Sequence, residues 1–441
     1  MSPEVTAAII AGSVSVFTLI VTLAAQYFGR RATSGDTRDA LNQQLTEQGK
    51  QLDRSFEEQR KQLDKTLEAQ SDQLDRTLAE QRTRTLNERF ATAAEQLGSD
   101  KPAVRLAGVY AMAGLADDWE ENRQTCVDVL CAYLRMPYEP DPGQDAPEPQ
   151  RLAFQAIREV RHTVIRVITA HLKEKAAVSW QGLNFDFTGV VFDGGDFTDA
   201  RFSGGEVYFY GAEFSSGRVS FSGAEFSGGG VTFYTAKFFG EVDFRGAKFS
   251  GGEVSFWAAK FSGSGVTFHG ARFSGGLVVF NFAEFSGGKV DFNTTFFTGG
   301  RVGFGAEFSG EVDFHDALFI GGEVSFTGAR FSSGTVDLTN ATFSGAEVSF
   351  GAEFSGGTVD FRGAKFFGEV DFHEAKFFGG KVDFHEAQFS SGRVSFTGAE
   401  FSGGTVDFSD ADDWSVPPVF AWTDKPPQGV KLPSKDDQSQ V

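Results

Sequence analysis

The sequence predicts a mainly β chain whose C-terminal half is a parallel β-solenoid. Before it come a transmembrane helix, a long coiled-coil helix and a small α-helical segment. Three observations predict this. A ladder of 39 apolar rungs runs from Phe187 to Phe408, all phenylalanine except Leu338, with most intervals alternating between five and seven residues. So short a period, sustained for so long, is the mark of a repeat architecture. Leucines recur every eleven residues between Leu41 and Leu78, and an apolar run without charge opens the chain.

Composition sets the outer bounds. The 441 residues carry a net charge of -20. Most of it lies in the ladder, where 31 Asp and Glu stand against 15 Lys and Arg between Leu183 and Trp414, a net of -16. That balance argues against direct nucleic-acid binding through a basic face. The two cysteines, Cys126 and Cys131, are five residues apart in a helix-patterned stretch and do not share a helical face. They read as buried thiols in a reducing compartment, neither a disulfide nor a metal site.

Residues 5–28 form a 24-residue run without charge. As a helix it is long enough to cross a hydrocarbon layer of roughly 30 Å. Glu4 is the only charged side chain before the run, so the basic start of a cleaved signal is missing, and Arg30 and Arg31 follow it. The expectation is a single-pass anchor in the cell membrane, N-terminus outside and the bulk of the chain cytoplasmic; the alternative is a removed signal.

Residues 37–86 read as a stalk. Leu41, Leu52, Leu63 and Leu74 are spaced by eleven, as are Leu45, Phe56, Leu67 and Leu78, and as are Gln48, Gln59, Gln70 and Gln81. Eleven residues in three turns imply a straight or slightly right-handed coiled coil. The apolar stripe is too thin to bury much in a monomer, so the reading is a homo-oligomer, with a lone charged helix against lipid or another protein as the alternative. Residues 87–177 read as short amphipathic helices, for example through Leu106, Val109, Tyr110 and Ala113. A Pro-rich linker interrupts them at 137–149, and His162 and His171 read as surface or capping residues.

Within 183–414 each unit repeats V-x-F and then A-x-F, as in Val207, Phe209, Ala212 and Phe214. Alternation of this kind gives short strands with apolar side chains inward and Ser, Asp, Glu, Lys or Thr outward. Thr198-Asp199-Ala200-Arg201-Phe202 and Gly211-Ala212-Glu213-Phe214-Ser215 resemble the bacterial pentapeptide-repeat family, whose motif is A-(D/N)-L-x-x with Phe often at the central apolar position. The resemblance covers about half of the chain. It implies a right-handed parallel β-helix of quadrilateral cross-section, with four pentapeptides to a coil. This sequence departs from the motif in every second unit, which carries two extra residues, usually Gly-Gly. We place these at corners, where glycine tolerates positive φ. Residues 415–441 read as a Pro-rich tail, disordered at its end.

If a coil holds two units, Asp291, Asp313, Asp337, Asp360, Asp383 and Asp407 stack into one outward acidic column. Like charges at strand spacing are unfavourable. Lys289, Arg362 and Lys381 could relieve them, or a partner could dock there; cation binding is the weakest reading, because the clustered ligands of a calcium loop are missing. The pairs His315-Asp316, His373-Glu374 and His385-Glu386 read as solvated surface, and no phosphate-binding loop follows the glycine pairs. No catalytic residue, metal site or cofactor is called for. The expected function is a non-enzymatic, membrane-tethered scaffold presenting an acidic rod to a cytoplasmic protein. The resemblance adds one alternative, an acidic rod that mimics DNA and binds a topoisomerase. An enzyme with an unrecognised site in the helical segment is the other.

Overall fold

The computed structural model describes residues 20–24, 26–27, 35–139, 141–263, 265–423 and 425–434. The chain divides into two compact units, Met1–Thr85 and Leu86–Val441. Among the described residues no helix is long and apolar enough to cross a membrane. Residues 5–19, 25 and 28 of the apolar run read as a membrane span lie outside the described residues.

Helix α1 (Gly35–Leu97) is continuous over 63 residues. The sequence reading placed a boundary at 86/87, and the helix runs through it, because neither Gly nor Pro occurs from Lys50 to Leu97. Thr46, Thr66, Thr77 and Thr83 donate their hydroxyls to the carbonyl four residues back, which satisfies them within the helix. From Leu63 on the leucine stripe has no cover: Leu63 and Leu74 are each 59% exposed, and residues 57–85 are exposed on every face, whereas Leu45 and Phe56 are half-buried.

In the second unit α2 (Pro102–Asp118), α3 (Arg123–Arg135) and α4 (Glu148–Leu172) pack their apolar faces into one cluster with Leu86, Ala93 and Leu97. Pro102 opens α2 where no backbone donor is needed. Cys126 and Cys131 are free and fully buried. Burial pushes their thiols up, to about 11 and about 12, which leaves them unreactive at neutral pH.

This helical layer closes the first coil of the solenoid. Arg161 donates to the carbonyls of Leu134 and Val191, and Thr169 donates to that of Asp196. Trp180 continues the helical core directly into Phe185 and Phe187. The coil's open end is thus covered by side chains that also satisfy its backbone acceptors.

The solenoid makes about ten parallel turns with four short strands each. In the coil that begins at Arg201, the faces are Arg201–Phe202, Glu206–Tyr208, Glu213–Phe214 and Arg218–Ser220; the first two form one strand, Arg201–Tyr208. The next coil repeats them 23 or 24 residues on, with Phe202 beside Phe226, Val207 beside Val231, Phe214 beside Phe238 and Val219 beside Val242. The two-unit coil read from the spacing is therefore the one observed.

Phe209 stacks on Phe233 with ring centroids 4.6 Å apart and planes 3° apart, while it meets Phe221 of its own coil edge-on at 5.8 Å. Stacked and edge-to-face contacts both suit the aromatic quadrupole. Alanines such as Ala212 and Ala224 alternate with these rings and are fully buried, so the interior fills without a channel.

The Gly-Gly corners have a steric cause, although Ala346 fills the equivalent place in one coil. Gly229 has φ +65°, and a Cβ there would lie 1.7 Å from the carbonyl oxygen of Gly205 in the coil before. Glycine lets successive corners nest at strand spacing.

At the far end the segment after Trp414 is not a free tail. Val419–Phe420 pairs with Ser395–Phe396, and Val430–Lys431 pairs with Val406–Asp407. Trp414 meets Phe408 and Phe389 edge-on, and Trp422 meets Phe401. Apolar rings there cover the last open layer of phenylalanines. Residues 435–441, the end of the predicted tail, lie outside the described residues.

Candidate interaction surface on the solenoid

The aspartate column predicted from the spacing exists as a register. Asp291 pairs with Asp313, and Asp337, Asp360, Asp383 and Asp407 follow, one per coil. Lys431 ends the column beside Asp407. All six lie on the fourth face.

Their carboxylates have a local duty that the sequence reading missed. Each Oδ1 accepts the backbone N–H two residues on: Asn293, His315, Thr339, Arg362, His385 and Ser409, at 2.8–3.1 Å. This is the Asx turn, in which a short acceptor side chain stands in for a backbone carbonyl. Coils with Ser or Thr at that position use the hydroxyl in the same way, as Ser220 does toward Ser222 and Thr267 toward His269. The signal was present in the recurring V-D-F-x and V-S-F-x.

These carboxylates also sit low. Asp313, Asp360 and Asp383 are each 8% exposed, and Asp243, two coils before Asp291, is fully buried. Cations cover most of them: Lys289 on Asp313 at 2.6 Å, Arg362 on Asp360 at 2.7 Å, Lys381 on Asp383 at 2.6 Å and Lys431 on Asp407 at 2.7 Å. Arg218 and Arg245 both reach Asp243. Burial pushes the Asp243 carboxyl up, but Arg245 through side chain and backbone, together with Arg218, holds it below its usual range.

Asp407 shows the same balance with a pH consequence. Burial raises its pKa, while Lys431 and Ser409 lower it further, to about 2 against an ordinary 3.8. A carboxylate depressed on folding stabilises the fold above its unfolded pKa and loses that contribution as pH falls through its folded one. The last coil should therefore loosen between about pH 4 and 2. Hydrogen exchange at the Val406 and Phe408 amides, which donate to Gly429 and Lys431, reads this directly. Lys431→Met should move the loosening to higher pH. Identical profiles for the two proteins would contradict the assignment.

A stack of protruding acids lies on another face. Glu323, Glu347 and Glu369 are stacked in register over three consecutive coils of the second face, and all are exposed. Arg301 approaches Glu323 at 3.9 Å, and Arg393 follows Glu369 in register; among the described residues no cation comes within ion-pair distance of Glu347 or Glu369. On the third face, by contrast, acids and bases are mixed, and opposite charges pair across coils, as Lys237 with Glu213 and Lys260 with Glu284.

Of the histidine pairs, His373 and His385 follow different faces and are solvent-facing, as read from the sequence. His385 also reaches Asp410 in the next coil at 3.3 Å. A separate corner carries exposed aromatic rings: Tyr210 stacks on Tyr234 at 5.2 Å, and Trp257 meets Phe282 at 4.6 Å.

The helical layer holds two polar hubs. Asp193 accepts from Tyr138 at 2.7 Å and Arg158 at 2.9 Å and lies 3.0 Å from His162 Nε2. Burial pushes its carboxyl up, yet hydrogen bonds from His162 and Tyr138, with the charges of His162 and Arg158, hold it below its usual range. His171 stacks on Trp180 at 3.9 Å, and both reach Asp117. Both histidines are half-buried rather than surface residues: His162 ties α4 to the first coil through Asp193, and His171 ties it to α2 through Asp117. Tyr138 and Phe154 also line a mostly apolar cavity of about 380 Å³ beside the 137–149 linker. Among the described residues no group of His, Cys, Asp or Glu could hold a metal ion.

With this geometry in place, comparison with known proteins adds one result. No curated protein and no solved structure matches the chain. The profile of "Pentapeptide repeats (9 copies)" matches residues 187–237, 304–352 and 361–412, all inside the solenoid. The gaps between those stretches have the same four strands per coil, in unbroken register from Phe226 to Phe297. The matched stretches are thus pentapeptide repeats, and the solenoid that holds them is a parallel β-helix with two units to the coil.

Proposed function

We propose that this chain is a non-enzymatic, membrane-tethered scaffold whose acidic β-helix docks a protein partner on the cytoplasmic side. The observation that carries the reading is the exposed glutamate stack of Glu323, Glu347 and Glu369. Like charges at a strand spacing of about 4.8 Å repel. Elsewhere on the rod opposite charges or turn amides offset them; here a cationic partner surface would. The apolar run at 5–28 supports the tether, and the uncovered leucine stripe supports association of copies through the stalk. The aspartate column becomes the secondary candidate, because its carboxylates already serve turns and cations.

The test is photo-crosslinking in intact cells from residue 347, with residue 284 on the paired third face as control. A discrete adduct from 347 but not 284, reduced at least five-fold by Glu323→Lys with Glu369→Lys, is the expected result. The same adducts from both positions would overturn it. The DNA-mimic alternative draws on the net charge of -16 and requires the soluble rod to inhibit gyrase supercoiling at micromolar concentration. Absence of inhibition would remove it.

A further inference from the structure

We infer that the stalk pairs with other copies of this chain in parallel and in register, with the glutamines as its alignment layers. This rests on the association through the stalk proposed above and specifies its geometry.

The first argument is the period. Residues 57–85 are exposed all round, and their apolar groups repeat every eleven residues. Eleven residues rise about 16 Å along a helix. A partner that covers the stripe along its length must repeat its own apolar groups with that axial period. This chain supplies such a surface.

The proposed tether selects the direction, and the flanks are compatible with it. At three turns per eleven residues, each residue advances the helix by about 98°. Taking Leu63 as the centre of the stripe, Leu67 lies about 33° to one side and Gln59 about 33° to the other. Asp64 lies about 98° round on the Leu67 side, and Gln62 lies equally far round on the Gln59 side. The same arrangement recurs one repeat on with Asp75 and Gln73. In a parallel pair, opposite flanks meet, so Asp64 and Asp75 face glutamines. In an antiparallel pair, like flanks meet, and that flank carries Arg60 and Arg82, about 65° round, as well as the aspartates, so flank charge does not decide the direction. Copies tethered at residues 5–28, as proposed above, enter the stalk from the same end, which selects the parallel pair.

Glutamine selects the register. A polar residue at an inward position fixes alignment at some cost in stability. In register, Gln59 and Gln70 of each copy lie level with their counterparts, where amide can bond amide. A shift by part of a repeat sets them against leucine and leaves them unsatisfied. A shift by a whole repeat strands apolar groups at both ends.

Leu52→Cys and Leu74→Cys, each in the full chain in detergent, test this under mild oxidation. The native cysteines are fully buried and stay silent. The two positions are 22 residues, about 33 Å, apart along the helix. The expected result is that each variant alone becomes mostly disulfide-linked to itself. Adding Leu63→Lys with Leu67→Lys should cut that yield at least ten-fold. Linkage only in a mixture of the two variants would mean an antiparallel pair or a parallel one staggered by two repeats, and either overturns the inference. A monomeric mass without linkage would overturn stalk association itself. Oligomers without any stalk linkage would place the contact elsewhere and overturn both. None of these outcomes bears on crosslinking from residue 347, so failure of the stalk and failure of the docking face are read separately.

Discussion

Phe256→Ala is expected to cost about 4 kcal/mol and to divide the unfolding of the solenoid into two steps. The ring is fully buried. It stacks on Phe233 at 4.7 Å and on Phe280 at 4.6 Å, each within 2° of parallel, and meets Phe244 and Phe268 edge-on. Truncating a buried phenylalanine removes its transfer energy and leaves a cavity, typically about 3–5 kcal/mol. Collapse cannot close that cavity, because the neighbouring rings are held by backbone pairing on both sides. In a solenoid each coil contacts only its neighbours, so one weakened interface separates the array into two cooperative blocks. Urea unfolding followed by circular dichroism, with proteolysis to locate the first cut, measures this. A single transition shifted by less than about 1 kcal/mol would mean that the column does not couple the coils.

The second large effect is expected at the corners, from two glycines that share a backbone conformation but not a space. Gly252 has φ +66° and Gly246 has φ +64°. A Cβ on Gly252 would lie 1.9 Å from the carbonyl oxygen of Gly229, whereas one on Gly246 would meet nothing within 4 Å. Gly246→Ala should therefore cost only the left-handed conformation, about 1 kcal/mol. The protein already accepts that cost in the same corner of other coils, at Asp199, Thr294, Asp316, Asn340 and Glu386. Gly252→Ala must move backbone in two adjacent coils, and more than about 3 kcal/mol is expected. Chemical denaturation of the two variants side by side is the measurement. Equal losses would show that conformation, not nesting, fixes the corner glycines.

Much of the fold was legible because the interior repeats more strictly than the surface. Phe and Val positions recur whatever lies outside them, so the spacing disclosed the coil and the register before any coordinate. What the spacing could not show was height. Asp360 and Glu347 both alternate outward from a buried valine, yet one carboxylate folds down onto a turn amide and an arginine while the other protrudes. That difference follows from the residue type at the strand end and from the cations in adjacent coils, which sequence order scatters 22 to 24 residues apart. The glutamate stack was missed for the same reason. The strands after Trp414 were missed because they lack the phenylalanine ladder; Val419 and Val430 pair in register without continuing the motif. In the helical layer, His162 and His171 carried no signal of their acidic partners, Asp193 and Asp117, which are 31 and 54 residues away.

Every surface of the solenoid depends on the two-unit coil, since the register decides which side chains become neighbours. Pulsed electron–electron distance measurement between spin labels at Ser255→Cys and Ser349→Cys tests it most directly. The two positions lie on one outward column, four coils apart through Val279, Gly303 and Ser325. At about 4.8 Å per coil the backbone separation should be roughly 19 Å. A separation near 38 Å, the value for one repeat unit per coil, would contradict the register and remove the glutamate face with it.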